Sequence, residues 1–148
     1  MEKIHHSVHI NAPKEKVWNT MLDDATYREW TKPFEPTSYY EGNWEEGSKI
    51  LFLSDTPGGQ MGMVSRIKEN RPYEFLSIEH LGIVKDGVED TESEEAKAWA
   101  PAFENYTFTE KDGGTEVSVD MDIDDEHKAM FEDVWPKALA VLKELAEK

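Results

Sequence analysis

The segment that most limits what this chain can fold into lies at its C-terminal end, residues 124–148. There the apolar residues Met130, Phe131, Val134, Trp135, Ala138, Leu139, Leu142 and Leu145 recur at intervals of three and four, with Glu132, Asp133, Lys137, Lys143, Glu144 and Glu147 between them. That spacing describes an amphipathic helix with one apolar stripe. Asp124 and Asp125 supply an N-cap and first-turn negative charge, and Lys143 and Lys148 stand near the negative end of the helix dipole. At roughly 1.5 Å per residue the rod is about 34 Å long, which is about the width of seven strands spaced ~4.8 Å apart. The rest of the chain therefore has to provide a sheet for this helix to lie on. Pro136 falls inside the pattern, where it removes a backbone donor and crowds the carbonyl of Glu132. A kink is expected there, dividing the helix in two, with Met130, Phe131 and Trp135 on the part freer to move.

The preceding sequence supplies that sheet. Residues 3–10 alternate, with Ile4, His6, Val8 and Ile10 on one side and Lys3, His5, Ser7 and His9 on the other, as in a strand with one wet face. Asn11, Ala12 and Pro13 stop it and open a helix carrying Val17, Trp18, Met21 and Leu22, with Asn11 available as the cap. A second short helix is expected from Asp23 or Asp24 to Trp30. Six further strands are predicted at 37–41, 49–54, 60–68, 73–81, 103–111 and 115–123, punctuated by glycines, Pro72 and the Asp112, Gly113, Gly114 run. Between the last strands, Thr91 and Glu94 have capping-box spacing ahead of Ala96 and Trp99, which predicts a short helix or lid over 91–100. The chain thus reads as one domain over residues 1–148, of the α+β class. A curved antiparallel sheet of about seven strands wraps a long C-terminal helix, with two short helices after the first strand.

Charge narrows the choice of partners. Sixteen basic against thirty-two acidic residues leave a formal net charge of −16, which opposes attraction to phosphate backbones or anionic lipid and argues against nucleic acid. No apolar run reaches membrane-spanning length, and no signal-peptide core is present at the start, so membrane insertion is not expected and a cytoplasmic location is. Without cysteine, disulfides and thiolate metal sites are excluded. His5 and His9 share a face but lie ~13 Å apart along a strand, too far to hold one ion together. The acidic run at Glu89, Asp90, Glu92, Glu94 and Glu95, and the alternating Asp120, Asp122 and Asp124, read as solvated surface rather than a metal site. No cofactor motif is present.

The order of elements resembles the helix-grip, START-like superfamily often called SRPBCC, and within it the branch related to the C-terminal domain of the activator of the heat-shock protein 90 ATPase. Four stretches carry the resemblance: Ile10 to Pro13 with Val17 and Trp18; Gly42, Trp44 and Gly47; Asn70 to Phe75; and Gly114 to Val117 ahead of the Trp135 to Leu145 helix. The resemblance implies the helix-grip fold. It leaves function open, since such domains include lipid carriers, cyclases, oxygenase domains and co-chaperone modules.

The residues themselves suit either a filled core or a pocket, and the resemblance favours the pocket. Aromatic and thioether side chains are dense on faces directed between sheet and helix, a composition suited to an adaptable apolar site. The candidate ligand-binding residues are Trp44, Phe52, Met63, Ile78, His80, Trp99, Phe103, Tyr106, Met121, Phe131 and Trp135. Strand parity puts His80 with Leu76 and Ile78, looking inward, where with Tyr106 it can orient a polar group of a ligand, act as a base, or serve as a core histidine. There is no cysteine nucleophile, nucleophile elbow, phosphate-binding loop or zinc-protease helix, so no catalytic residues are assigned. Three readings remain: a carrier of a small, largely apolar molecule, a co-chaperone-type module meeting a chaperone ATPase, and a small cavity enzyme using His80. No oligomeric state is specified by the sequence.

Overall fold

The computed structural model describes residues 2–148, with the side chain of Trp99 outside the described part. The elements run β1 (Glu2–Ile10), α1 (Lys14–Leu22), α2 (Asp24–Trp30), β2 (Tyr39–Gly42), β3 (Lys49–Thr56), β4 (Gly59–Arg71), β5 (Phe75–Lys85), β6 (Val88–Asp90), α3 (Glu94–Trp99), β7 (Ala102–Lys111), β8 (Gly114–Ile123) and α4 (Asp125–Ala146). The strands form one antiparallel sheet in the order β1-β8-β7-β5-β4-β3-β2, with β6 paired to β5. This is the expected curved sheet, two short helices and long terminal helix, with eight strands in place of about seven.

The added strand has a local cause. Asp86 and Gly87 adopt φ of 51° and 74°, the two positive values a type I′ hairpin turn requires. β5 therefore continues to Lys85 and folds back, and the backbones of Glu89 and Asp90, expected as surface loop, pair with Val84 and Ile83. Asp112 and Gly113 make the same turn between β7 and β8, at φ 50° and 78°. Two caps also differ from expectation. The α3 helix is capped by Ser93, whose hydroxyl accepts from the Ala96 N–H, rather than by Thr91. At α1 the helix starts at Lys14, so the N-cap position falls on Pro13, which makes no side-chain hydrogen bond, rather than on Asn11. The Asn11 backbone N–H donates to Glu147 Oε2 at 2.8 Å, tying the end of β1 to the end of α4.

The α4 helix runs unbroken through Pro136, yet its two halves pack differently. In the second half Ala138, Leu139, Leu142 and Ala146 are at most 2% exposed and close directly on the core. The first half buries Trp135 and leaves Phe131 and Val134 half-buried and Met130 exposed. So the helix grips the sheet at one end and stands off it at the other. Asp124 begins the standing-off half and accepts the His127 N–H at 3.1 Å as the N-cap. Asp124→Ala is expected to cost about 1 kcal/mol, read as a fall of about 3 °C in the thermal midpoint.

Candidate functional site: a cavity between sheet and helix

Where α4 stands off, a cavity of about 670 Å³ opens between the inner face of the sheet, α2 and the segment after it, α3, and the first half of α4. That volume lies within the roughly 300–1,000 Å³ typical of small-molecule sites. Of the residues expected there, Trp44, Phe52, Met63, Ile78, His80, Tyr106, Met121, Phe131 and Trp135 line it. Phe103 does not, and strand alternation explains the correction: on β7 the cavity-lining residues are Glu104 and Tyr106, which puts Phe103 on the other face. The side chain of Trp99 lies outside the described residues; its helix contributes Glu95 and Ala98 to the lining, both exposed, at the cavity mouth.

The apolar wall is a connected aromatic cluster. Trp135 meets Phe34 at 4.8 Å, Tyr106 at 6.1 Å and Trp30 at 6.2 Å between ring centroids, and Phe34 meets Phe131 at 5.7 Å. The Trp135 indole N–H points at Met121 Sδ, 3.0 Å away. Tyr27, Trp30 and Phe34 were not expected in the wall, although an amphipathic second helix filling the open end of the sheet is the pattern that signals them. Trp44 contributes a second kind of group. It lines the cavity, and its buried indole N–H has no hydrogen-bond partner among the described residues, which is costly unless a guest or water supplies an acceptor.

At the inner face four polar side chains form a chain. A bulge between β4 and β5 brings Ser65 opposite His80, and Ser65 Oγ lies 2.6 Å from His80 Nδ1. Across the other ladder Glu104 pairs with Ile78 and Tyr106 with Leu76, so the Glu104 carboxylate lies diagonally beside the imidazole, 3.1 Å from Nε2. Its second oxygen accepts the Tyr106 hydroxyl. In the neutral imidazole the Glu104 carboxylate takes Nε2–H, which leaves Nδ1 to accept from the Ser65 hydroxyl. Burial, and next the neighbouring Glu104 charge, hold the Tyr106 phenol well above its ordinary value, so it stays protonated and donates. His80 and Tyr106 are each 3% exposed and Ser65 is fully buried. Ser65 is not part of the cavity lining, so its hydroxyl is placed as support rather than as a nucleophile. Composition does not single out Glu104 among thirty-two acidic residues, yet its parity with Tyr106 and Phe108 marks it as an inward carboxylate.

The mouth is acidic. Glu35, Glu95, Asp122, Asp124 and Glu126 join the lining, and among the described residues no lysine or arginine does. Burial pushes the Asp122 carboxyl up, but hydrogen bonds from Lys3 and the Phe103 N–H outweigh it and hold the group below its usual range. Asp124, Glu126 and His127 each bring one ligand-type atom within 4.8 Å of the others. Asp124 Oδ1 is already engaged as the helix cap and by His127 Nδ1 at 2.7 Å, so capping accounts for the cluster. The histidines of β1 are likewise dispersed: His5 pairs with Asp120, and His9 Nε2 lies 2.9 Å from the Lys111 carbonyl. Among the described residues no helix is long and apolar enough to cross a membrane.

Sheet, gripping helix and intervening cavity together define a helix-grip domain of the START-like class. The chain belongs to the Activator of Hsp90 ATPase homolog 1-like protein family, whose model matches residues 11–147. It is similar in structure to a protein from Chromobacterium violaceum, with 19% identity, TM-score 0.71, and coverage of 100% of this chain and 99% of that one. A protein from Nitrosomonas europaea shares 15% identity at TM-score 0.73, covering 97% and 92% of the two chains. The Aha1 dimer from Colwellia psychrerythraea shares 19% identity at TM-score 0.71, covering 99% and 97%. At these identities the likeness is one of fold. No curated protein matches the chain at a significant level.

Proposed function

We propose that this protein binds a small, largely apolar molecule in the cavity between its sheet and the first half of α4. The observation that carries the reading is the cavity itself, about 670 Å³ with a continuous aromatic wall, where a solid core would have left no room. Transfer of apolar surface into it contributes about 25 cal/mol per Å² removed from water. The α3 segment and the start of α4 border the mouth and serve as its gate. Titration of the tryptophan fluorescence against a panel of lipids and polyphenols tests this, because Trp30, Trp44 and Trp135 all line the site. A flat response across the panel counts against it. Met63→Trp provides the matching variant. Met63 lines the cavity between Phe52 and Ile83 on neighbouring strands, so the larger ring fills space that a guest needs. Affinity is expected to fall about tenfold or more, the equivalent of a steric penalty of about 1–3 kcal/mol. The thermal midpoint of the free protein is expected to hold or rise.

Family membership supports a second reading, that the domain meets a chaperone ATPase through its acidic surface. The ATPase rate of a heat-shock protein 90-type chaperone, measured with and without this protein over a salt series, separates the two readings. Stimulation that fades with salt favours the chaperone.

A further inference from the structure

The polar chain at the inner face says more about the guest than its apolar wall does. Every donor hydrogen in it is consumed within the protein. The Ser65 hydroxyl goes to His80 Nδ1, Nε2–H of His80 to one Glu104 oxygen, and the Tyr106 hydroxyl to the other. What remains toward the cavity is lone-pair capacity on the two Glu104 oxygens and on the Tyr106 phenol oxygen, since a carboxylate has about four acceptor positions and only two are filled here. Glu104 and Tyr106 both line the cavity, and the Glu104 side chain is 15% exposed. The subsite is therefore acceptor-only. A ligand carboxylate placed there meets lone pairs with lone pairs and finds no lysine or arginine, since among the described residues neither lines the cavity and the mouth adds further carboxylates. The Trp44 N–H elsewhere in the lining, unpartnered among the described residues, suits a neutral acceptor oxygen of the same guest. A hydroxyl, phenol or amine hydrogen meets a charge-assisted acceptor in a water-poor setting.

We propose that the Glu104–Tyr106 subsite selects a neutral or cationic apolar molecule bearing a hydrogen-bond donor, and that it excludes fatty-acid-like anions. This inference rests on the cavity-binding reading and assigns the chemical class of its guest. Glu104 is the direct contact. His80 and Ser65 are positioning residues that keep the carboxylate aimed at the cavity.

Four fluorescent probes of one apolar body test it: 1-hydroxypyrene, 1-pyrenemethylamine, 1-methoxypyrene and 1-pyrenecarboxylate, titrated into the full chain at neutral pH. The two donors are expected to bind about tenfold or more tighter than the methyl ether, the effect of one hydrogen bond to a charged group, and the carboxylate weakest of all. In Glu104→Gln the preference for 1-hydroxypyrene over 1-methoxypyrene is expected to shrink to less than about threefold, and 1-pyrenecarboxylate to improve relative to both. Tyr106→Phe covers the case in which Glu104→Gln fails to fold. It leaves Glu104, the direct contact, and frees the oxygen that Tyr106 occupies, so 1-hydroxypyrene should still bind about tenfold tighter than 1-methoxypyrene. Equal binding of all four probes to the unaltered protein overturns the subsite and leaves the apolar carrier standing. Tight binding of the carboxylate, or loss of the preference for 1-hydroxypyrene over 1-methoxypyrene in Tyr106→Phe, overturns the subsite as well. Failure to bind any of the four overturns both.

Discussion

Trp135→Ala is expected to lower the stability of the fold by about 3–5 kcal/mol, the range for truncating a buried aromatic. Trp135 is the hinge point of the packing: 2% exposed, in ring contact with Trp30, Phe34 and Tyr106, and bonded through its indole to Met121. It is also the one fully buried side chain on the half of α4 that stands off the sheet. Its removal therefore enlarges an existing void that the neighbours cannot collapse into, and it unpins the start of the helix. Urea unfolding followed by circular dichroism measures the loss. A cost below about 1 kcal/mol would mean that the standing-off half of α4 is held by something else. Because the loss of stability is this large, Trp135→Ala is a poor test of ligand binding, and Met63→Trp serves that purpose.

The second large effect is expected at His80. Replacing it with leucine preserves bulk but removes two links of a buried chain, leaving the Ser65 hydroxyl without its acceptor and one Glu104 oxygen without its donor. The expected loss is about 2–3 kcal/mol, since hydrogen bonds to a charged partner are worth more than neutral ones and an orphaned buried group bears its full desolvation cost. A double-mutant cycle tests the coupling. Ser65→Ala on the His80→Leu background removes the orphaned hydroxyl, so the double variant should be more stable than the sum of the two single losses implies. Strict additivity would show that the two side chains are not linked in solution.

These two residues also show how far the sequence could be read. Trp135 was recognisable both as a stripe residue of the terminal helix and as a candidate wall residue, because a three-and-four spacing is a local property. His80 was recognisable as inward-facing from its parity with Leu76 and Ile78. Its partners were not. Ser65 reaches it only because the β4–β5 register shifts between Val64 and Ser65, and Glu104 only because β7 pairs so that Ala102 faces His80 and Glu104 faces Ile78. Apolarity alone singles out Phe103 on this strand, whereas the alternation along β7 turns Glu104 and Tyr106 to the cavity. Strand β6 was legible in principle, since Asp86-Gly87 is a hairpin-turn dipeptide, but it was hidden by the acidic run that follows.

Read alone, the chain specifies the kinds of element, the order of all but the short β6, and which face of each is apolar. Those follow from periodicities of 2 and 3.6 that any segment carries without its neighbours. Packing in three dimensions sets the rest: one end of α4 closes on the sheet while the other stands away, and Ser65, His80, Glu104 and Tyr106 meet at the sheet's inner face. Strand register, bulge position and helix stand-off are set by how whole faces pack against one another, and no single stretch of chain records them.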